Sequence, residues 1–319
     1  MAVRDYMDAV CRQREGRRID GGMTGTVTEP TPAPVEGPSD AGRPGRGWLP
    51  RRWPRPPAPL LALGVCLGLA LWLYAPAWSS PADTTLRGGG GDPAIFIWFL
   101  RWVPFALEHG QDPLVSHHLN YPDGVNLMWN TSLPLAGLLL APVTALGGPV
   151  LSYNLLLVLG FALSAWCAYL AILRFVPGHL AAATGGLVYG FSPAMRSQAS
   201  HPHMSLALLV PLLLLVLYEL LVVQGRSPWW AGAALGLLAG CQLLLGEELL
   251  AMTALLGFVL LVLLVAGNLR RLRGRIAHPL KAFAVALVVF AAIAAWVART
   301  TRTRSSSSSN ASALCLSVK

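Results

Sequence analysis

Five side chains combine acid, base and hydrogen-bonding functions in patterns that could do chemistry. Asp92 follows a run of glycines, His201 and His203 flank a single proline, and Glu247 and Glu248 are adjacent between two apolar stretches. A carboxylate within hydrogen-bond reach of a hydroxyl group can remove its proton. Two acids at the edge of a membrane are costly unless they face water, a cation or a substrate. These residues are therefore the candidates for a polar functional site.

Each candidate also has a structural interpretation. Asp92 stands before Pro93, a pattern typical of a helix N-cap followed by proline at the first helical position. The two acids could lie in a solvated turn. His201 and His203 could be polar surface residues without a ligand, or they could bind a metal. No DxD motif is present, so the sequence predicts no metal site and no cofactor. The glycines 88–91 are interpreted as a flexible linker without a site.

The composition determines the class of protein. Of 319 residues, 54% are hydrophobic and only 12% are charged, which excludes an ordinary soluble domain. The net charge of +9 comes from arginines that flank apolar runs, so it indicates membrane orientation and not a nucleic-acid partner. We predict an all-α, polytopic membrane protein whose first partner is the lipid bilayer.

Changes in composition divide the chain into three parts. Residues 1–58 are rich in Pro, Gly and Arg and predict a disordered, basic, cytoplasmic segment. Residues 59–298 are the transmembrane domain. Residues 299–319 change abruptly to Arg, Thr and Ser, so we expect an unstructured tail of the kind left by a truncation or a frameshift.

The apolar runs predict about seven transmembrane helices. The first, 59–78, is followed by a long outer loop, 79–149, which contains an interfacial helix at 93–108 and a re-entrant or surface helix at 133–146. The stretch 229–267 must be two helices, because 39 helical residues would reach about 58 Å across a hydrocarbon core of about 30 Å. The remaining spans are predicted at 150–173, 179–195, 205–223, 229–246, 249–267 and 282–298.

The basic residues orient this arrangement. On the seven-span interpretation, 17 of the 24 Lys and Arg residues fall in inside segments and only three fall outside before the tail. The positive-inside rule then predicts a multi-pass protein of the cell membrane with a cytoplasmic N-terminus. All the candidate site residues fall on the outer side, so we expect the outer helix ends to bring them into one cavity.

Several short motifs resemble a known superfamily. A first helix, a long outer loop with an early acid, a surface helix and short-looped spans are similar to the GT-C superfamily of polytopic membrane glycosyltransferases. Four short sequence motifs are also similar to those of uncharacterised actinobacterial proteins of that type. They are Gly91-Asp92-Pro93, Tyr121-Pro122-Asp123-Gly124, Gly185-Gly186-Leu187-Val188-Tyr189-Gly190-Phe191-Ser192-Pro193, and Gln242 with Gly246-Glu247-Glu248. The resemblance covers residues 59–298, the N-terminal half of such enzymes.

The resemblance implies transfer of a sugar from a polyprenyl-phosphate donor to an acceptor at the extracytoplasmic face. Asp92 matches the first-loop carboxylate of that superfamily, which is expected to act as the general base on the acceptor hydroxyl. The leaving phosphate needs a cationic partner. The candidate substrate-binding residues are Arg196, His201, His203, Glu247 and Glu248.

Two other classes remain open. A transporter would place charged residues near the middle of the bilayer and often contains inverted repeats, and neither feature is found in the sequence. A non-catalytic membrane protein would not need the outer acids. Substitution of those acids distinguishes this class from an enzyme. The sugar, the acceptor and the oligomeric state cannot be read from the sequence.

Overall fold

The structure is a computed structural model that describes residues 57–85, 92–272 and 276–316. The segment 1–58, predicted to be disordered, lies outside the described residues except for its last two positions. The glycines 88–91 also lie outside them, as does most of the junction between the last two helices.

The described residues form a mostly helical structure, as predicted. The α-helices, numbered in chain order, are α1 Ala58–Leu73, α2 Asp92–Glu108, α3 Pro134–Leu139, α4 Ala141–Ile172, α5 His179–Phe191, α6 Pro193–Ser197, α7 Pro202–Ser205, α8 Leu209–Tyr218, α9 Pro228–Leu245, α10 Glu247–Leu272 and α11 Ala277–Leu316. Short 3-10 helices cover Ala75–Ser79, Leu127–Asn130 and Gln198–Ser200, and a π-helix, Glu219–Val223, extends α8. Two short strands, β1 Val115–Ser116 and β2 Val125–Asn126, pair antiparallel between α2 and α3.

Three helices in the described part of the chain are long and apolar enough to cross a membrane. They are α4, α9 and the portion Ala277–Ala298 of α11. The prediction of seven spans is therefore not supported, although a helix is present at each predicted position. Helix α1 has 16 residues and α5 has 13, so they extend about 24 Å and about 20 Å, less than a hydrocarbon core of about 30 Å.

The short helices have identifiable endings. Helix α5 stops at Phe191 because the chain turns at Ser192 and Pro193 starts the next short helix, with the Ser192 side chain accepting a hydrogen bond from the Met195 backbone amide at 3.3 Å. The predicted surface helix at 133–146 is divided between α3 and the first turns of α4. Helix α4 is interrupted at Gly148, whose φ of 82° and ψ of 167° are non-helical.

Helix α2 packs one of its faces into the hydrophobic core. The side chains of Phe96, Phe99, Leu100 and Trp102 are buried in the cluster that α2 shares with α3, α4, α8 and the end of α9. Trp98 and Trp102 are one turn apart in this helix and stack, with ring centroids 5.3 Å apart. The interfacial position predicted for this helix stays a prediction, because Ile95 and Leu107 remain exposed on its other face.

A glycine stripe joins α9 to α11. A Cβ atom at Gly236 would lie 2.6 Å from the backbone oxygen of Ala286, and Gly232 and Gly240 make equally close approaches to the same helix. Small residues spaced four apart let two helix backbones approach closely in a membrane. The two helices run parallel and pack closely over three successive turns.

The last helix differs from the sequence expectation. Residues 299–316, which we predicted to be unstructured, continue helix α11 to Leu316. Extending an existing helix avoids the unfavourable nucleation step, and serine is only moderately unfavourable in a helix.

Candidate functional site

The first residue of α2 contacts the loop between α6 and α7. Oδ2 of Asp92 lies 2.9 Å from Nε2 of His201, and the two side chains are 59% and 42% exposed. Because a carboxylate can only accept at neutral pH, Nε2 carries the hydrogen and Nδ1 faces the Ser200 hydroxyl at 3.2 Å. His201 therefore orients an accessible carboxylate.

The second histidine of the same loop contacts a different acid. Nε2 of His203 lies 3.5 Å from Oε2 of Glu248, the second residue of α10. The imidazole is buried against the Phe96 ring, with centroids 5.4 Å apart. Burial lowers the pKa of His203, and the neighbouring Glu248 carboxylate only partly opposes this effect. Near pH 7 the His203 imidazole is therefore neutral, and it lies beside the exposed Glu248 carboxylate.

The first acid of the pair contacts the loop before α3. The Thr131 hydroxyl donates a hydrogen bond of 3.1 Å to Oε1 of Glu247. Burial raises the pKa of Glu247, and the hydrogen bond from Thr131 partly offsets the rise. Thr131 was not among the predicted site residues, because an isolated threonine in a loop has no distinguishing sequence pattern.

Local sequence brings the two histidines side by side. Pro202 begins α7, and the rings of His201 and His203 lie 6.0 Å apart and nearly perpendicular. Gly246 separates α9 from α10, and a Cβ atom there would lie 3.2 Å from both the Cβ and the backbone oxygen of His203. The absence of a side chain at Gly246 thus favours the close approach of the acidic turn to the histidine loop.

Three buried polar atoms in this region have no hydrogen-bond partner among the described residues. They are Nδ1 of His203, Oε2 of Glu247 and Oε1 of Gln242. The Gln242 side chain is fully buried, and its amide nitrogen lies 3.4 Å from the backbone oxygen of Gly246. Buried polar groups without partners are expensive and often mark a site for water or a ligand.

Two consecutive residues of helix α4 anchor loops near the site through hydrogen bonds. Tyr153 donates from its hydroxyl to the backbone oxygen of Ala199 at 3.4 Å, beside the histidine loop. The fully buried Asn154 amide donates to the backbone oxygens of Pro81 and Thr84 at 2.9 and 2.8 Å. We did not predict either role, although an asparagine within an apolar run is a signal that could have identified one of them.

Arg196 lies apart from the predicted group. It lines a cavity of about 330 Å³ with Tyr74, Thr84, Thr85 and the end of α1, and none of the other predicted site residues lines that cavity. The structure thus brings together five of the six predicted residues, and places Arg196 at a separate cavity. We call the five residues the acid–histidine cluster: Asp92, His201, His203, Glu247 and Glu248.

The side chains of the acid–histidine cluster are arranged for hydrogen bonding. No group of three or more His, Cys, Asp or Glu side chains within the described ranges is arranged to hold a metal ion. The histidines each face one acid, so the arrangement consists of two acid–histidine pairs and a threonine-bound glutamate.

Comparison with known proteins places the chain in a family. No curated protein and no solved structure matched it. The family model described as "Domain of unknown function (DUF6311)" matches residues 62–317, which include all five residues of the acid–histidine cluster and Arg196. The chain therefore belongs to the DUF6311 family.

Proposed function

We propose that this protein transfers a sugar from a polyprenyl-phosphate donor to an acceptor hydroxyl at the extracytoplasmic face of the cell membrane. The observation that supports the proposal is the Asp92–His201 contact at the edge of the acid–histidine cluster. It joins a solvent-accessible carboxylate to a side chain that fixes its orientation. A general base needs both access to the hydroxyl and a defined position.

Asp92 is the proposed general base. As the acceptor oxygen attacks the anomeric carbon, the carboxylate takes the hydroxyl proton and the bond to the donor phosphate breaks. His201 is the positioning residue, since its Nε2–H donates to one carboxylate oxygen. The other oxygen is then directed to the acceptor.

The rest of the cluster binds sugar in this proposal. Glu247, Glu248 and His203 present acceptors and donors beside unpartnered buried atoms, and sugar hydroxyls can satisfy both kinds of group. The cavity lined by Arg196 would hold the departing phosphate, because a guanidinium favours developing negative charge. In the seven-span arrangement with a cytoplasmic N-terminus, inferred from the basic residues, the cluster would lie outside.

The test measures transfer from labelled polyprenyl-phosphate hexose and pentose donors in membranes that contain the full chain. Asp92→Asn should reduce the rate by about 10²–10⁴-fold, because Asn keeps the shape and cannot accept the proton. Glu219→Gln, at a turn outside the cluster, is the matched control and should keep the wild-type rate. Wild-type transfer by Asp92→Asn would make Asp92 structural and leave the reaction without its proposed general base, whereas no transfer by the wild-type chain would favour a non-catalytic membrane protein.

A further inference from the structure

Trp129 is an exposed aromatic side chain on an otherwise buried support. Its side chain is 86% exposed, whereas the two preceding residues of the same 3-10 helix, Leu127 and Met128, are buried. An exposed indole leaves a large apolar face in contact with solvent. A rigid support under such a face suggests that something covers it.

The 3-10 helix Leu127–Asn130, which carries Trp129, is fixed by its cap and by the backbone that follows it. The Asn126 side chain accepts from the Met128 backbone amide at 3.0 Å and so caps the 3-10 helix. After the helix, Thr131 and Leu133 have φ angles of 50° and 53°. A non-glycine residue in this left-handed region costs about 1–3 kcal/mol and persists only where the surroundings enforce it. The position of Trp129 is therefore well determined.

The support ends at the acid–histidine cluster. Thr131, two residues after Trp129, donates its hydroxyl to Glu247, and the neighbouring Glu248 carboxylate is 59% exposed. The 3-10 helix that carries the indole is therefore held two residues from a contact with the acidic turn. An apolar ring face beside hydrogen-bond acceptors matches a pyranose ring, which has one carbon-bound hydrogen face and hydroxyl groups on its rim.

We propose that Trp129 is the stacking surface of a saccharide subsite and that Glu248 accepts hydrogen bonds from the hydroxyls of the stacked sugar. This inference rests on the proposed function and adds the place where a sugar ring of the acceptor binds. It separates Trp129 from exposed tryptophans such as Trp229 and Trp230. Those two begin the apolar helix α9, where an aromatic anchor at a membrane boundary is expected, and Trp230 already stacks with Arg226 at 4.3 Å.

The experiment measures saccharide binding to the purified full chain in lipid nanodiscs, without donor lipid. The probes are uncharged tetrasaccharides of glucose, mannose, galactose and arabinose, detected by saturation-transfer NMR with titration. Wild type binds at least one probe. Trp129→Ala weakens that binding about tenfold, Trp129→Phe retains most of it, and Trp229→Ala leaves it unchanged.

The design separates this inference from the proposed reaction. Asp92→Asn should bind the probe as wild type does, because the stacking surface and Glu248 are intact, even though transfer is lost. Equal binding by wild type and Trp129→Ala would overturn the subsite, as would the absence of binding to all probes. Loss of transfer in Asp92→Asn together with either result would leave the proposed function standing and remove only the role of Trp129.

Discussion

The two ends of helix α9 each carry an acidic turn, and the carboxylates are used differently. Before α9, Oε1 of Glu219 accepts from the backbone amides of Gly225 and Arg226, both at 3.1 Å, six and seven residues along the chain. The Glu219 carboxylate therefore pairs with backbone amides of its own turn. The Arg226 guanidinium lies over the Trp230 ring, 4.3 Å from its centroid.

After α9, the acids reach distant parts of the chain. Glu247 accepts from Thr131, 116 residues away, and Glu248 contacts His203 from another loop. Asp92 contacts His201 from a third element. A carboxylate satisfied locally is explained by the turn it closes, whereas carboxylates gathered from separate elements need another reason, and a shared substrate provides one.

The largest expected difference between the two ends is in transfer activity. Glu248→Gln should lower the rate of sugar transfer about 10-fold to 100-fold, because a charge-assisted hydrogen bond to the substrate is lost. Glu219→Gln should change it by less than about twofold. Initial rates with saturating donor measure both. Similar losses in the two variants would mean that the ends do not differ in function.

The second difference concerns the helix that joins the ends. Gly236→Ala should lower the free energy of unfolding by about 1–3 kcal/mol, because the new methyl group meets the backbone oxygen of Ala286. Gly68→Ala is the matched control, since nothing lies within 4 Å of a Cβ atom there, and it should be neutral or slightly stabilising. Denaturant titration in detergent micelles compares them, and an equal effect would refute the close packing of α9 and α11.

The third difference is the direction in which removing the carboxylate changes the melting temperature. The pKa of Glu247 is raised in the folded protein, so its contribution to stability is present below its ordinary pKa of 4.5 and is lost as the pH rises through the folded pKa. Glu247→Gln should therefore raise the melting temperature at pH 7.5. Glu219→Gln should lower it slightly, by weakening two hydrogen bonds worth about 1 kcal/mol each. A lower melting temperature for Glu247→Gln would contradict the burial of that carboxylate.

The smallest expected effect is a pH dependence. The pKa of His203 is lowered, so its contribution to stability is present above about 6.5, its ordinary value, and is lost as the pH falls through the folded pKa. Glu248 and Asp92 oppose the lowering, and His201 adds to it. His203→Gln should flatten the loss of thermal stability between pH 7 and pH 5. An unchanged slope would assign that loss to other groups.

Much of the helical pattern could be predicted from the sequence. The apolar runs predicted helices at the positions of α1 to α5 and α8 to α11, and the expected division of the stretch 229–267 into two helices falls at Gly246. The number of spans could not be predicted in this way, because a hydropathy pattern does not reveal where Ser192 and Pro193 stop a helix short of membrane thickness.

The site was partly predictable for a related reason. The acids and histidines were visible as polar residues at the ends of apolar runs. Their pairing depended on which loops meet, and this is decided by close approaches such as that of Gly246 to His203 and by the anchoring of loops through Tyr153 and Asn154. Arg196 was grouped with the cluster because it is near His201 in sequence, yet the turn through α6 places it at another cavity.

The central claim is that Asp92 and His201 act as one unit in transfer. The most direct test is a double-mutant cycle of Asp92→Asn, His201→Gln and the double variant, measured as initial rates in the same membranes. Because His201 acts only through Asp92 in this account, the double variant should transfer within about twofold of the rate of Asp92→Asn alone. If the two losses multiply in the double variant, the residues act independently and the unit does not exist.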